Sequence, residues 1–327
     1  MKVTRRFSRG DRVCSRLAPW ARYGFALALV ASSAHADVLP ASTVGGATYR
    51  LKVGQDEVIA LSDGDFGLDT SQLLIAPAGV RLPMLLQSAH DGQVVTTSVN
   101  AYLVKTGGKL VLIDTGAADQ LGDSLGKLGK SLAKAGIDPS KIDAVLLTHL
   151  HIDHVSGLMH GGTPTFPNAT VWVDRRELAF WSDPSNAPKV DPVMRGTFDV
   201  VAKTLSPYRD KGRLKTFTGG AKVAPDIVAT DTVGHTPGHT SFVLKSQGQQ
   251  LVFWGDLIHV GDVQFPAPAI TIRFDFDQPA AAQERNKALA RAASSGTWIA
   301  GSHLAFPGMG HVKKNGDAFV WEPAGKP

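Results

Sequence analysis

Apolar positions along this chain come in short runs, and most runs end in a turn carrying Gly, Asp or His. Residues 57–61 read as a strand closed by the turn signal Ser62-Asp63-Gly64-Asp65. The Pro-rich text of 76–93 predicts a surface loop. Residues 98–105 and 109–114 predict two strands joined through Thr106-Gly107-Gly108, a hairpin turn. A helix is expected over 119–135, stopped at Gly136. The run Ala144-Val145-Leu146-Leu147 reads as a buried strand. After it come a strand at 169–173, a helix at 175–181, a flexible loop at 182–189 rich in Pro, Asp and Ser, and a loosely helical 190–205. Strands at 227–232, 241–245 and 250–254, a helix at 280–293 and a strand at 298–300 complete the pattern. Strands that alternate with helices and deliver polar residues from several strand ends indicate one α/β domain over residues 37–327.

The first 36 residues follow another rule. A leader with Lys2, Arg5, Arg6, Arg9, Arg12, Arg16 and Arg22 precedes an apolar run at 23–31, and Ala34-His35-Ala36 offers small residues to a signal peptidase. This predicts a secretory signal cleaved after Ala36 and a periplasmic or secreted protein. The run is too short to span a bilayer, so no membrane anchor is expected after cleavage. Thr4-Arg5-Arg6-Phe7 carries a twin arginine, in flanks that match a twin-arginine export motif poorly. The leader holds seven of the 34 Lys/Arg and one of the 29 Asp/Glu, leaving 27 basic and 28 acidic residues and a formal charge of −1. That balance lacks the basic footprint of a nucleic-acid binder. Cys14, the only cysteine, also lies in the leader, so disulfides and thiolate chemistry are excluded from the mature chain.

Chemistry concentrates in Thr148-His149-Leu150-His151-Ile152-Asp153-His154, directly after the buried run. His149 and His151 alternate as on an extended chain, whereas Asp153 and His154 follow as the chain turns into a helix. Imidazole and carboxylate are the ligands that zinc and similar divalent ions take. Three further strands run into Gly-containing turns with a His or Asp: Gly234-His235-Thr236-Pro237-Gly238-His239, Gly255-Asp256-Leu257 and Gly301-Ser302-His303. With His235, Asp256 and His303 the set reaches seven ligand-type residues, enough for two ions. His90, His160, His259 and His311 are assigned to no metal, and His259 stands out as falling three residues after Asp256.

These motifs, with Ala101-Tyr102-Leu103-Val104, Asp114-Thr115-Gly116-Ala117-Ala118, Val263-Gln264-Phe265 and Ser302-His303-Leu304-Ala305-Phe306-Pro307-Gly308, resemble the metallo-β-lactamase superfamily, and within it the methyl parathion hydrolases. The resemblance implies a four-layer αββα sandwich with two divalent ions, zinc foremost, at one edge between the sheets. It implies that His149, His151 and His235 hold one ion and Asp153, His154 and His303 the other. Asp256 bridges them together with a water or hydroxide. Asp153 and Asp256 are the candidate catalytic carboxylates, while Asp114 and His239 support the ligands from behind. The same resemblance suggests a homodimer.

The implied reaction is hydrolysis of a small apolar ester, either an organophosphate triester or a lactone or aryl ester. A β-lactam hydrolase, or a metal-binding module without catalysis, are the alternatives. Leu121, Trp181, Phe198, Phe265 and Phe274 are the candidate pocket wall. Leu121 and Thr197 stand where the phosphotriesterases carry phenylalanines.

Overall fold

The computed structural model describes residues 38–42, 47–88 and 93–325; the expected signal segment and His90 lie outside them. The described residues belong to one compact unit. No helix among them is long and apolar enough to cross a membrane.

Two sheets carry the fold, and in each the strands lie side by side in chain order. The first has eight: β1 (Val38–Ser42), β2 (Thr48–Val53), β3 (Asp56–Asp69), β4 (Val94–Thr106), β5 (Lys109–Ile113), β6 (Ala144–Leu146), β7 (Thr170–Asp174) and β8 (Leu214–Phe217). The second has seven: β9 (Lys222–Ala224), β10 (Ile227–Asp231), β11 (Thr240–Ser246), β12 (Gln249–Phe253), β13 (Trp298–Ala300), β14 (Met309–Asn315) and β15 (Ala318–Pro323). Pairing is parallel from β5 through β8 and between β12 and β13, and antiparallel elsewhere.

Residue alternation divides the strands between layers. In β3 and β4, Val58, Ala60, Tyr102 and Val104 face the second sheet and pack with Phe242, Leu244, Leu251 and Phe253. Their neighbours Ile59, Leu61, Ala101 and Leu103 face outward, under helices α1 (Leu128–Lys134), α2 (Arg175–Trp181) and α3 (Thr197–Asp210). Helix α4 (Gln278–Ser295) lays Ala288, Leu289 and Ala292 on Ile299 and Val312 of the second sheet. The order is helix, sheet, sheet, helix, which is the expected αββα sandwich. Burying a Val, Leu, Ile or Phe side chain contributes about 1.5–3 kcal/mol, so the inter-sheet layer and the helix-side layer over the first sheet are both major sources of stability.

Several local expectations change. Strand β3 does not stop at Ser62; it bulges between Ser62 and Gly64 and continues to Asp69. The bulge turns Asp63 inward, where it accepts backbone bonds from Ala117 (2.9 Å), Gly126 (3.1 Å) and Leu128 (2.9 Å). The expected helix over 119–135 is therefore only Leu128–Lys134, because Asp63 holds the preceding residues as a loop. The 76–93 loop contains a helix, Leu82–Ser88. The 182–189 loop is a 3₁₀ turn over Pro184–Lys189, capped by Asp183. Helix α3 begins seven residues later than expected and runs to Asp210.

Candidate metal centre

Strand β6 delivers the His-rich segment to the edge between the sheets. The chain stays extended to His151, which occupies the N-cap position of the single helical turn Ile152–Val155. His149 and His151 thus project from extended backbone, and Asp153 and His154 from a turn of helix, so the pairs aim at different points. Asp114, just past β5, stabilises this bend in a left-handed conformation (φ 58°). Its Oδ1 accepts from Thr148 N at 2.8 Å, its Oδ2 accepts from Thr148 Oγ1 at 2.8 Å and lies 2.9 Å from His154 Nδ1. His154 therefore presents Nε2 inward.

The other residues arrive from the second sheet. His235 follows β10, Asp256 follows β12 and His303 follows β13. The seven residues form two groups that share Asp256: His149, His151, His235 and Asp256, and Asp153, His154, Asp256 and His303. In the first, His235 Nε2 lies 3.0 Å from His151 Nδ1 and 3.3 Å from Asp256 Oδ2, and His149 Nε2 lies 3.6 Å from that oxygen. In the second, His154 Nε2 is 3.1 Å from Asp256 Oδ1, and Asp153 Oδ2 is 3.3 Å from His303 Nε2 and 3.5 Å from His154 Nε2. Four ligands around one zinc, with bonds near 2.1 Å, stand about 3.4 Å apart. The donor sets fit that spacing. The buried atoms His149 Nε2, His154 Nε2 and Asp256 Oδ1 have no hydrogen-bond partner in the protein, as atoms reserved for an ion would not.

Electrostatics point the same way. Burial, then neighbouring imidazoles, push His149 and His151 well below the usual histidine range. Burial also opposes protonation of His154, His235 and His303, but the carboxylates of Asp256, Asp153, Asp114 and Asp275 outweigh it and raise them, His235 to about 9. Burial works against ionising Asp153 and Asp256 too, yet the imidazoles around them hold both carboxyls low. A cation held here would take the place of those imidazole protons in neutralising the carboxylates.

Behind the groups stands a second set of residues. His239 is occupied by backbone: Nδ1 faces Thr232 O at 3.0 Å and Nε2 accepts from Asp256 N at 3.0 Å. Both ring nitrogens are thus taken up by backbone, and His239 lies in neither donor group. Gly255, at φ 58°, could carry no side chain there, since a Cβ would stand 2.7 Å from His239 Nε2. Four further supports were assigned no role from the sequence. Glu177, fully buried in α2, accepts from Leu150 N (3.0 Å), Trp181 Nε1 (2.8 Å) and Gly238 N (2.8 Å), tying both His-bearing turns together. Asp275 Oδ1 lies 2.7 Å from His235 Nδ1, and its Oδ2 takes the buried Arg285 at 3.3 Å. Asn100 and Tyr102 of β4 both donate to Gly301 O, at 3.2 and 2.8 Å, and fix the His303 turn.

A cavity of about 360 Å³ opens beside His151. Trp181, Phe274, Phe276 and Val190 give it an apolar wall, and Lys189 and Arg273 a polar one. Of the five expected wall residues, Trp181 and Phe274 line this cavity. Phe198 is not on the wall; it packs behind Trp181 at 4.8 Å in the helix-side core. Phe265 stacks on Trp321 in the core under α4, and Leu121 is exposed and does not line the cavity. Apolar character alone did not separate wall from core. A second groove, about 230 Å³ on the outer face of β11 and β12 beside α4, contains none of the clustered residues.

A model of the metallo-beta-lactamase superfamily matches residues 94–303, which span every residue of both groups. The chain belongs to that superfamily. It is 36% identical to the hydrolase AbOPH of the beta lactamase superfamily, over 87% of this chain and 99% of that one, with a TM-score of 0.80. It is 26% identical to AidC, a dizinc quorum-quenching lactonase solved in complex with a product, over 86% and 98% of the chains, with a TM-score of 0.75. Curated relatives include the ribonuclease TTHA0252 of Thermus thermophilus, 29% identical over 52% of this chain and 38% of that protein. Another is an N-acyl homoserine lactonase from a Bacillus species, 23% identical over 48% and 62%. The chain spans about four to six tenths of the length of these curated relatives.

Proposed function

We propose that this superfamily member is an exported hydrolase with two divalent ions, zinc foremost, that opens a small, partly apolar carboxylic ester, a lactone being the first substrate class to test. One observation carries the reading: Asp256 belongs to two complete donor groups at once. His149, His151 and His235 would hold one ion, Asp153, His154 and His303 the other, and Asp256 both. Ions so held supply a Lewis acid for the acyl oxygen and water made nucleophilic at neutral pH.

The chain's own residues do the rest. His151 and Asp275 border both the centre and the cavity, so a substrate seated against Trp181, Phe274 and Phe276 brings its polar end to the centre. The volume suits a small ligand. On the polar side Arg273 is paired with Asp191 of the same wall at 2.9 Å, Lys189 donates to Asn186 at 2.7 Å and Gln278 donates to Ile272 O and Asp275 O, so this side suits an uncharged substrate such as a lactone or ester. AidC, similar over almost its whole length, is a dizinc lactonase, which supports the same class. The leader in residues 1–36 supports export.

The test is purified protein assayed on N-acyl homoserine lactones, aryl esters, aryl phosphotriesters and a β-lactam, with and without chelator. Lactone or aryl-ester turnover that is lost on chelation and restored by Zn²⁺ is expected. Turnover confined to phosphotriesters or the β-lactam, or insensitive to chelator, would overturn it.

A further inference from the structure

Two buried histidines among the described residues belong to neither group; both ring nitrogens of His239 have partners, and those of His259 do not. His259 sits on the segment between β12 and the helical turn Gly261–Gln264, three residues after Asp256. Its ring stacks on His303 (5.0 Å between centroids, 22° between planes) and lies 4.9 Å from His235. It is thus wedged between one imidazole from each group. Its Nε2 is 3.2 Å from Asp256 Oδ2, the oxygen that His235 and His303 approach at 3.3 and 3.0 Å.

Close as it is, that approach lacks hydrogen-bond geometry, and Nδ1 also has no partner. A buried polar atom left unpaired costs about 1–3 kcal/mol, and an apolar side chain in the same space would avoid it. Three other orphaned side-chain atoms at the centre, His149 Nε2, His154 Nε2 and Asp256 Oδ1, belong to the two donor groups. The backbone of His259 is not loose: Gln264 Oε1 accepts from His259 N at 2.7 Å and from Val260 N at 3.1 Å, while Gln264 Nε2 donates to Ile270 O at 3.1 Å. The ring is therefore placed by backbone clamp and stacking, with its nitrogens kept free.

We propose that His259 is a positioning residue of the centre: backing Asp256 Oδ2 from between His235 and His303, it holds the shared carboxylate in the orientation that serves both groups, and so determines retention of the second ion. The proposal rests on the two-ion reading above. A slight turn of the ring brings Nε2–H onto Oδ2 once the carboxylate is drawn toward ions, a bond that a side chain without N–H cannot supply. Removing such a support lowers metal affinity by about 10–100-fold.

The test uses the full chain as wild type, His259→Phe, His259→Leu and His259→Gln, with exposed His160→Gln as control. Each is stripped, melted metal-free, and titrated with Co²⁺ against a competing chelator while the visible d–d absorption is followed. Wild type and H160Q are expected to bind two Co²⁺ per chain. H259F and H259L should bind the first within about threefold of wild type and the second 10–100-fold more weakly; H259Q, which keeps an N–H donor, should recover most of that loss. Their metal-free melting temperatures should not fall below wild type, since the imidazole contributes no bond there.

Two Co²⁺ bound to H259F and H259L with unchanged affinities would overturn the proposal. So would loss of both ions together with a lowered metal-free melting temperature, which marks a packing role. A d–d spectrum changed in H259F and not restored in H259Q would overturn it in favour of direct ligation. Fewer than two ions on wild type would instead sink the two-ion reading itself.

Discussion

Asp275→Asn tests whether the supports behind the centre matter as much as the groups they hold. Asp275 is buried between His235 and Arg285, and burial alone would raise its carboxyl; His235 and Arg285 outweigh that and lower it from 3.8 to about 2. A depressed carboxyl contributes stability that is present above about pH 4 and is lost as pH falls through about 2. At 1.36 kcal/mol per unit, the shift is worth about 2–3 kcal/mol at neutral pH. Asparagine can still accept from His235 with its oxygen. Its amide nitrogen then faces two donors, Arg285 Nη2 and Ile272 N, which the carboxylate holds at 3.3 and 3.2 Å. Arg285 keeps its bonds to Leu257 O, Pro268 O and Ile270 O but loses its only buried counter-ion among the described residues. Breaking a buried pair from one side costs about 3–5 kcal/mol.

The two routes bracket a loss of about 2–5 kcal/mol, or a fall in melting temperature of roughly 4–20 °C for a domain of this size. Metal-free protein reports the loss of both charge partners, Arg285 and His235, together. Loading with Zn²⁺ then adds the effect on His235, whose weakened support should lower ion affinity by about 10-fold or more. In a double-mutant cycle, Asp275→Asn with Arg285→Met should destabilise less than the sum of the single changes, because Arg285 is no longer left unpaired. Metal-free D275N melting within 1 °C of wild type, or strict additivity in the cycle, would refute the reasoning.

Metal-free protein should lose stability as pH rises from about 6.5 to 9: His235, raised to about 9 in the fold, stabilises fully below the unfolded pKa of about 6.5 and stops doing so through 9. Melting temperatures across that range should fall for stripped protein and stay level for loaded protein, and a flat metal-free profile would contradict the assignment. Tyr102→Phe should cost about 1–2 kcal/mol in denaturant unfolding, since it removes the 2.8 Å bond to the buried Gly301 carbonyl while leaving the inter-sheet packing in place. Phe276→Ala, at a cavity wall already 39% exposed, should raise KM several-fold with kcat and melting temperature nearly unchanged; an unaltered KM would remove Phe276 from the substrate wall.

What was legible in the sequence follows from how locally each feature is encoded. The two-group cluster was readable because each of its residues follows an apolar strand, within two residues of a glycine or in the six-residue run from His149 to His154, and strand ends converge by topology. His259 and Asp275 were not, although they touch the same atoms. A lone His three residues past a motif, and an Asp in Phe274-Asp275-Phe276, look like any polar residue in a loop. Their roles exist only because Arg285 on a distant helix and Gln264 in a single turn fix the surrounding loops. The bulge at Asp63 failed for a related reason. Ser-Asp-Gly-Asp is strong turn text, but the hydrogen bonds that carry the strand through it come from β4, thirty residues on. The cavity wall was the least legible of all, since Phe265 and Phe274 differ only in which core they meet. Reaction class is thus written in short motifs, and substrate choice in packing distributed over the whole chain. The variants that discriminate between substrates are therefore expected at Phe274, Phe276 and Lys189, not at the metal-type residues.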